Sequence, residues 1–324
     1  MSNTLSEIKN PVQKELVKFE THFRESMRSQ IALLDKIMYY VVKRKGKQIR
    51  PLLVFLSAKI CNKITDTTYV AASLVELLHT ASLVHDDVVD DAVKRRGFFS
   101  INALWKNKIA VLVGDYLLSR GLLVALENNE FRTLQIFTVS VKMMVEGELL
   151  QFEKARKLDI KEEVYYDIIK QKTASLIAAA CSAGSASSGV EEDTIEKMRL
   201  FGENIGMAFQ IKDDLFDYGE DDVGKPLGID IKEKKMTLPL IYSLQRADSK
   251  TRKKIINGIK KNSEDKRFAK EVISFVQNSG GLEYAHDKMI EFQQKAIEIL
   301  HTFPSSEARS AMEKLVYYIT ARKK

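Results

Sequence analysis

A chain of 324 residues buries about three quarters of its unfolded surface on folding, and 45% hydrophobic with 29% charged residues excludes a disordered chain. Two cysteines, Cys61 and Cys181, exclude a disulfide framework and a multi-cysteine zinc site. Fifteen Gly and five Pro leave room for long helices and little for a turn-rich β fold. The net charge of +7 admits nucleic acid, an anionic surface or anionic small substrates as partners.

In chain order, helical spacing runs over 12–43, 52–61, 71–85, 104–126, 131–152, 162–183, 191–217, 237–246, 267–278, 282–301 and 305–321. In 71–85, Val75, Leu78 and Ser82 form one stripe flanked by Leu74, Leu77, Ala81 and Val84, the pattern of an almost wholly apolar helix. No segment alternates cleanly enough for a strand. Breaks fall at Asn62-Lys63, Asn128-Asn129, 219–228, 278–281 and Pro304, and none has the composition of an interdomain linker. The expectation is a single all-α domain over 1–324.

The start, MSNTLSEIKN, lacks the apolar core of a secretion signal. The longest uncharged stretch, 173–190, is rich in Ala, Ser and Gly and reads as a closely packed core helix, not a membrane span. A cytoplasmic, non-transmembrane protein is expected. The run 250–270 reads as a solvated basic face.

Two places break the charge pattern. Asp86-Asp87-Val88-Val89-Asp90 and Asp213-Asp214-Leu215-Phe216-Asp217 each end an apolar helix. On a helix Asp86 and Asp90 stand one turn apart, about 5–6 Å between Cβ atoms, and Asp213 and Asp217 repeat the spacing. Like charges there repel each other and the helix dipole. A hard divalent cation resolves the conflict, and oxygen ligands with room for water and phosphate suit Mg²⁺.

Cations with anion-binding geometry accompany them. Gly46-Lys47-Gln48-Ile49-Arg50-Pro51 precedes a helix; Pro51 suits the first helical position, which leaves Arg50 extended at the entry. Free amides there, with Lys47 and Arg50, suit a phosphate. Arg95-Arg96-Gly97 supplies bidentate donors. Lys172-Thr173 opens the small-residue helix, Lys225 and Lys235 follow the second Asp cluster, and His79 lies two turns before Asp86. His85-Asp86 alone resembles a metal phosphohydrolase dipeptide, but His22, His286 and His301 lack supporting spacing.

Together these residues resemble the trans-isoprenyl diphosphate synthase (polyprenyl synthetase) family over roughly 40–245. The matches are the two Asp motifs, Gly46 to Pro51, Arg95-Arg96-Gly97, Lys172-Thr173, Phe209-Gln210, Lys225 and Lys235. Gly114-Asp115 and Glu146-Gly147-Glu148 through Gln151 add to them. Ile229 departs from the family's usual Thr. The resemblance implies a large antiparallel helical bundle around a central cavity, usually a homodimer, that condenses isopentenyl diphosphate head-to-tail with an allylic diphosphate. It implies about three Mg²⁺ ions, replaceable by Mn²⁺, on Asp86, Asp87, Asp90, Asp213, Asp214 and Asp217. Lys47, Arg50, His79 and Arg96 would hold isopentenyl diphosphate; Arg95, Lys172 and Lys235 the allylic diphosphate. Lys172, Thr173, Gln210, Lys225 and Lys235 would serve the chemistry, with Thr173 and Gln210 stabilising the allylic cation.

The family's tail tunnel would pass Ala81 and Ser82, both too small to close it, so a long all-trans product of C30 to C40 is expected, its floor lower, near Leu122, Ala125 or Leu126. The resemblance also leaves room for peripheral membrane contact during product release. The rival readings are a shorter-chain synthase making farnesyl or geranylgeranyl diphosphate, a terpene cyclase, and a non-catalytic subunit of a heteromeric synthase. A nucleic-acid-binding role leaves the paired aspartates unexplained.

Overall fold

The computed structural model describes residues 2–43, 46–95, 97–159, 161–219 and 227–321. Helix is nearly the whole of the regular structure among them, as the patterning requires. The single helix expected over 12–43 is interrupted. Helix α1 (Ser2–Lys9) passes through a 3-10 turn at Asn10–Val12 into α2 (Gln13–Ser26), and α3 (Ala32–Lys43) starts afresh. Between them the Ser29 N–H donates to the Asp35 carboxylate (3.2 Å) and the Ile31 N–H to Ser29 Oγ (3.2 Å). Such side chain to backbone bonds compete with helix continuation.

Helix α4 (Ile49–Cys61) begins earlier than expected, after Gln48 in the left-handed region (φ 53°). Arg50 is therefore helical, not extended, and Pro51 is the third helical residue. Its missing N–H still falls among the first-turn donors that have no helical acceptor. Helix α5 (Asp66–Val89) opens where the Thr65 N–H donates to Thr68 Oγ1 at 3.0 Å. A two-residue ladder, β1 (Lys94–Arg95) against β2 (Phe98–Phe99), follows; its length is too short for periodicity to register.

Helix α6 (Ile101–Glu127) is capped by Ser100 and kinks at Lys106 (φ 70°). Helices α7 (Phe131–Lys157) and α8 (Glu162–Ile169) lead into a π-helical turn at Lys170–Ala174 and then α9 (Ser175–Ser187), so the helix expected over 162–183 changes its hydrogen-bond register midway. The chain continues as α10 (Glu192–Phe216), the short α11 (Ile229–Lys232), α12 (Leu238–Arg246), α13 (Ser249–Asn262), α14 (Lys266–Asn278), α15 (Gly281–His301) and α16 (Glu307–Ala321).

The chain divides into two compact units, each assembled from three separate stretches. One comprises Met1–Val139, Ala179–Arg199 and Phe303–Met312; the other Ser140–Ala178, Leu200–Thr302 and Glu313–Lys324. The first is built on the fully buried Leu52, Leu53, Val54, Phe55 and Leu56 of α4 and on α5, along which α6 packs. Gly121 of α6 permits this approach, since a Cβ there would lie 3.1 Å from Leu74 Cδ1. The core of the second gathers Ile211, Tyr218, Ile231, Leu238, Leu240, Val272, Ala285 and Met289. Among the described residues one helix, α6, is long and apolar enough to cross a membrane, with a mean hydropathy of 1.8.

Candidate active site

In the first unit, α5 delivers the first Asp motif. The Asp90 N–H donates to the Asp86 carbonyl at 2.8 Å, so Asp90 keeps helical register as the C-cap, one turn from Asp86. Asp86 is half-buried and Asp90 exposed. Asp87 behaves differently: it is buried and accepts from Arg95 Nε at 2.6 Å. A buried carboxylate needs such a charge-assisted partner, and β1 supplies it. Arg50 Nη1 lies 2.9 Å from His79 Nε2. Arginine only donates, so His79 accepts there through Nε2.

A cleft of about 120 Å³ is lined by Gly46, Gln48, His79, Asp87 and Arg95, with Val84, Leu83 and Phe99 on its apolar side. Lys47 is exposed beside Gly46. Ala81 is buried; Ser82 is half-buried, its hydroxyl donating to the His79 carbonyl at 2.9 Å. His85 turns to α6, 3.3 Å from Asp115. Gly114 leaves room for its ring, which accounts for the Gly114-Asp115 pair. Leu126 is exposed and Ala125 fully buried. Arg96 lies outside the described residues.

In the second unit, Lys172, Thr173, Gln210, Asp214 and Lys235 line one cleft of about 70 Å³, together with Gln151, Tyr165 and Thr237. The π turn brings Lys172 and Thr173 there. Two glycines let it in: a Cβ on Gly147 would lie 2.8 Å from the Lys172 backbone nitrogen, and one on Gly206 would lie 2.5 Å from Ala174 Cα. Local π-helix is a frequent mark of functional sites. Lys172 Nζ pairs with Glu148 at 2.5 Å. The Thr173 hydroxyl donates to Gln210 Oε1 (2.8 Å), Gln210 Nε2 donates to Asp214 Oδ1 (2.9 Å), and Tyr165 donates to Asp214 Oδ2 (2.7 Å). Burial, reinforced by nearby Asp230, pushes the Asp214 carboxyl up to about 8, against the opposing effect of its two donors. Burial and Asp214 push the Tyr165 phenol well above its usual range.

The second motif departs from the geometry of the first at its third carboxylate. Asp217 follows the end of α10, buried, and accepts the backbone N–H groups of Ile229 (2.9 Å) and Asp230 (3.1 Å) at the start of α11. Asp213 is half-buried on α10. Lys235 lies 3.7 Å from Asp230 and pairs also with Glu233. Burial and Asp217 push Asp230 up to about 6. Lys225 lies outside the described residues. Tyr165 carried no sequence signal: it occupies a core position of an amphipathic helix, and only its buried hydroxyl demands a polar partner.

No group of three or more His, Cys, Asp or Glu side chains converges as a ready-made metal cage among the described residues. In the first unit Asp86 and Asp90 instead offer two accessible carboxylates one turn apart, and in the second unit Asp213 offers one on α10. Each suits a hard cation held by one or two carboxylates and completed by water and substrate phosphate.

Residues 31–276 match the polyprenyl synthetase family profile. The chain belongs to the polyprenyl synthetase family. It is 35% identical over 309 residues to the all-trans-nonaprenyl-diphosphate synthase (geranyl-diphosphate specific) of Rhodobacter capsulatus, covering 94% of both chains. Among solved structures it is similar to the polyprenyl synthase of Caulobacter crescentus CB15 complexed with calcium and isoprenyl diphosphate (TM-score 0.92, 31% identity, 99% of this chain and 98% of that one). It is also similar to the geranylgeranyl pyrophosphate synthase of Bacteroides thetaiotaomicron (TM-score 0.85, 38% identity, 99% and 100%). The fold is the all-α isoprenoid synthase fold. As a polyprenyl synthetase, the chain is a prenyltransferase that condenses isopentenyl diphosphate with prenyl diphosphates, and the family uses divalent metal.

Proposed function

We propose that the chain extends an allylic diphosphate to a long all-trans product, C30 to C40, as a cytoplasmic homodimer whose single catalytic domain is the whole chain. The observation that carries the length is the small size of Ala81 and Ser82, five and four residues before Asp86 on α5. Product chromatography after incubation with labelled isopentenyl diphosphate, an allylic primer and Mg²⁺ tests it. The 38% identity to a geranylgeranyl pyrophosphate synthase favours a C20 alternative, and the same chromatogram decides between them.

The geometry suggests a division of labour among the six aspartates. Asp86, Asp90 and Asp213 offer oxygens to Mg²⁺, about three ions by family likeness, with Mn²⁺ as substitute. Asp87 holds Arg95, Asp214 holds Gln210, and Asp217 holds the loop that carries Lys235. When bound, the metal neutralises the diphosphate as it leaves. Arg95, Lys172 and Lys235 are the residues assigned to the allylic diphosphate, with Lys225 serving the chemistry, and Lys172 must exchange Glu148 for phosphate. Thr173 and Gln210 turn oxygens toward the allylic carbon where positive charge develops. Lys47, Arg50, His79 and Arg96 orient isopentenyl diphosphate, whose double bond attacks that carbon. The released diphosphate takes the final proton, so no protein base is needed.

A second copy of the chain is the partner proposed for α6, which exposes Leu104, Val111, Leu112, Leu123 and Leu126. Apolar area of this kind seeks a partner. The single-domain reading is supported by the assembly of each unit from three non-consecutive stretches.

A further inference from the structure

One strongly basic surface of this protein is built by consecutive helices. Residues 246–270 hold ten Lys and Arg against three Asp and Glu, a surplus of seven that equals the net charge of the entire chain. All ten cations are exposed, on the end of α12, on α13 and on α14. Ile255 and Ile259 of α13, with Phe268, Val272, Ile273 and Val276 of α14, turn inward and fix the charges on the outer face.

The nearby acids, exposed Glu264 between α13 and α14 among them, offset that face only in part. Asp248 caps α13, accepting the N–H groups of Lys250 (2.8 Å) and Thr251 (3.0 Å), and Asp265 caps α14, accepting that of Arg267 (2.8 Å). Lys254 pairs with Glu271. Arg252 donates to the carbonyls of Leu244 (2.8 Å) and Gln245 (2.9 Å), and Arg246 lies over the Tyr242 ring. Lys250, Lys253, Lys260 and Lys261, with three more cations on α14, have no acidic side chain within ion-pair distance among the described residues.

We propose that the α13–α14 face docks the enzyme electrostatically on the anionic surface of a lipid bilayer. This gives the peripheral membrane contact expected for product release a location. The product is an amphiphile, with a diphosphate head and a hydrocarbon tail that water does not accommodate, so its next environment is a bilayer. A cluster of seven or so cations with no exposed large apolar side chain on the face matches surface charge without insertion. The α13–α14 face itself carries no exposed aromatic ring on which the bases of a single-stranded nucleic acid could stack. The face is also tied to the catalytic cleft. Lys234 Nζ donates to the Lys260 carbonyl at 3.2 Å, and the next residue, Lys235, lines the cleft proposed to hold the diphosphate head.

The test is co-sedimentation of the full chain with vesicles of phosphatidylcholine containing roughly 30 mol% phosphatidylglycerol, against pure phosphatidylcholine. Binding to the anionic vesicles only, falling about tenfold or more between about 0.1 M and 0.5 M salt, is expected. The variant K250E/K253E/K260E/K261E should lose that binding, and the milder K250Q/K253Q/K260Q/K261Q should weaken it, while both condense soluble short primers at the wild-type rate without vesicles. Equal binding to pure phosphatidylcholine, unchanged binding by the folded variants, or no binding by the wild type would overturn the proposal. So would competition in which duplex DNA displaces the protein from anionic vesicles at a concentration of charge far below that of the lipid. Loss of condensation activity in vesicle-free solution would instead indict the catalytic reading.

Discussion

Tyr165 and Asp214 meet in a buried hydrogen bond, Oη to Oδ2 over 2.7 Å. Its consequence runs two residues further. Asp214 accepts Gln210 Nε2, which fixes the amide so that its oxygen receives the Thr173 hydroxyl proton. The Thr173 oxygen is left with lone pairs for the cleft. Tyr165→Phe should therefore cost about 1–2 kcal/mol of stability and lower kcat with little change in KM. Asp214→Asn should do the same to kcat in the native background and nothing further in Thr173→Val. Equal losses in both backgrounds would mean that Asp214 acts elsewhere.

The same carboxyl makes stability depend on pH in the metal-free protein. Asp214 is lifted to about 8 when folded, against about 4 when unfolded. Between those values the folded state binds the extra proton, so stability falls as pH rises. Asp230, raised to about 6, acts in the same direction over the lower part of the window. With EDTA present, the urea midpoint should be higher at about pH 5 than at about pH 8, and Asp214→Asn should flatten the slope. A midpoint that climbs with pH would contradict the burial argument.

Gly147 and Gly206 admit the π turn, and a Cβ on either meets backbone rather than a movable side-chain tip. Gly206→Ala and Gly147→Ala should each destabilise by about 1–3 kcal/mol. Both should depress kcat by moving Lys172 and Thr173. Thermal melts and steady-state kinetics measure the two effects together.

Removing metal with EDTA should abolish condensation, and Mg²⁺ or Mn²⁺ should restore it. Asp86→Ala and Asp213→Ala should lower kcat by about 10²–10³, the scale of one lost electrostatic stabiliser of a developing charge. Full activity in either variant would remove that aspartate from the metal set.

Ala81→Tyr and Ser82→Phe should shorten the product toward C15 or C20 while the first condensations proceed normally. Ala81 is buried, so a folding check must accompany its variant; Ser82 is half-buried and gives the cleaner test. Unchanged product length in folded variants would send the tail along another path.

Much of the fold and most of the candidate site were legible in the sequence. Helical periodicity over 71–85 and 191–217 placed both Asp motifs at helix ends, because a buried stripe recurring every three to four residues has one stable local solution. The families of charge that such helices tolerate only with a cation pointed to metal and diphosphate. The breaks at 27–31 and 170–174 were not legible. The first rests on short-range bonds from Ser29 and Asp35, the second on a backbone register that no side-chain period records.

What the sequence by itself determined was therefore the all-α class, the two aspartate motifs and the cations that accompany them, since these follow from spacing along single helices. Only the tertiary structure decided how the six aspartates differ. Asp87, Asp214 and Asp217 are drawn inward onto Arg95, onto Tyr165 and Gln210, and onto the amides of Ile229 and Asp230; Asp86, Asp90 and Asp213 keep some exposure to solvent. The physical reason is that a carboxylate can be buried only where donors from distant parts of the chain converge on it. The position of those donors is a property of the packed chain, not of the motif.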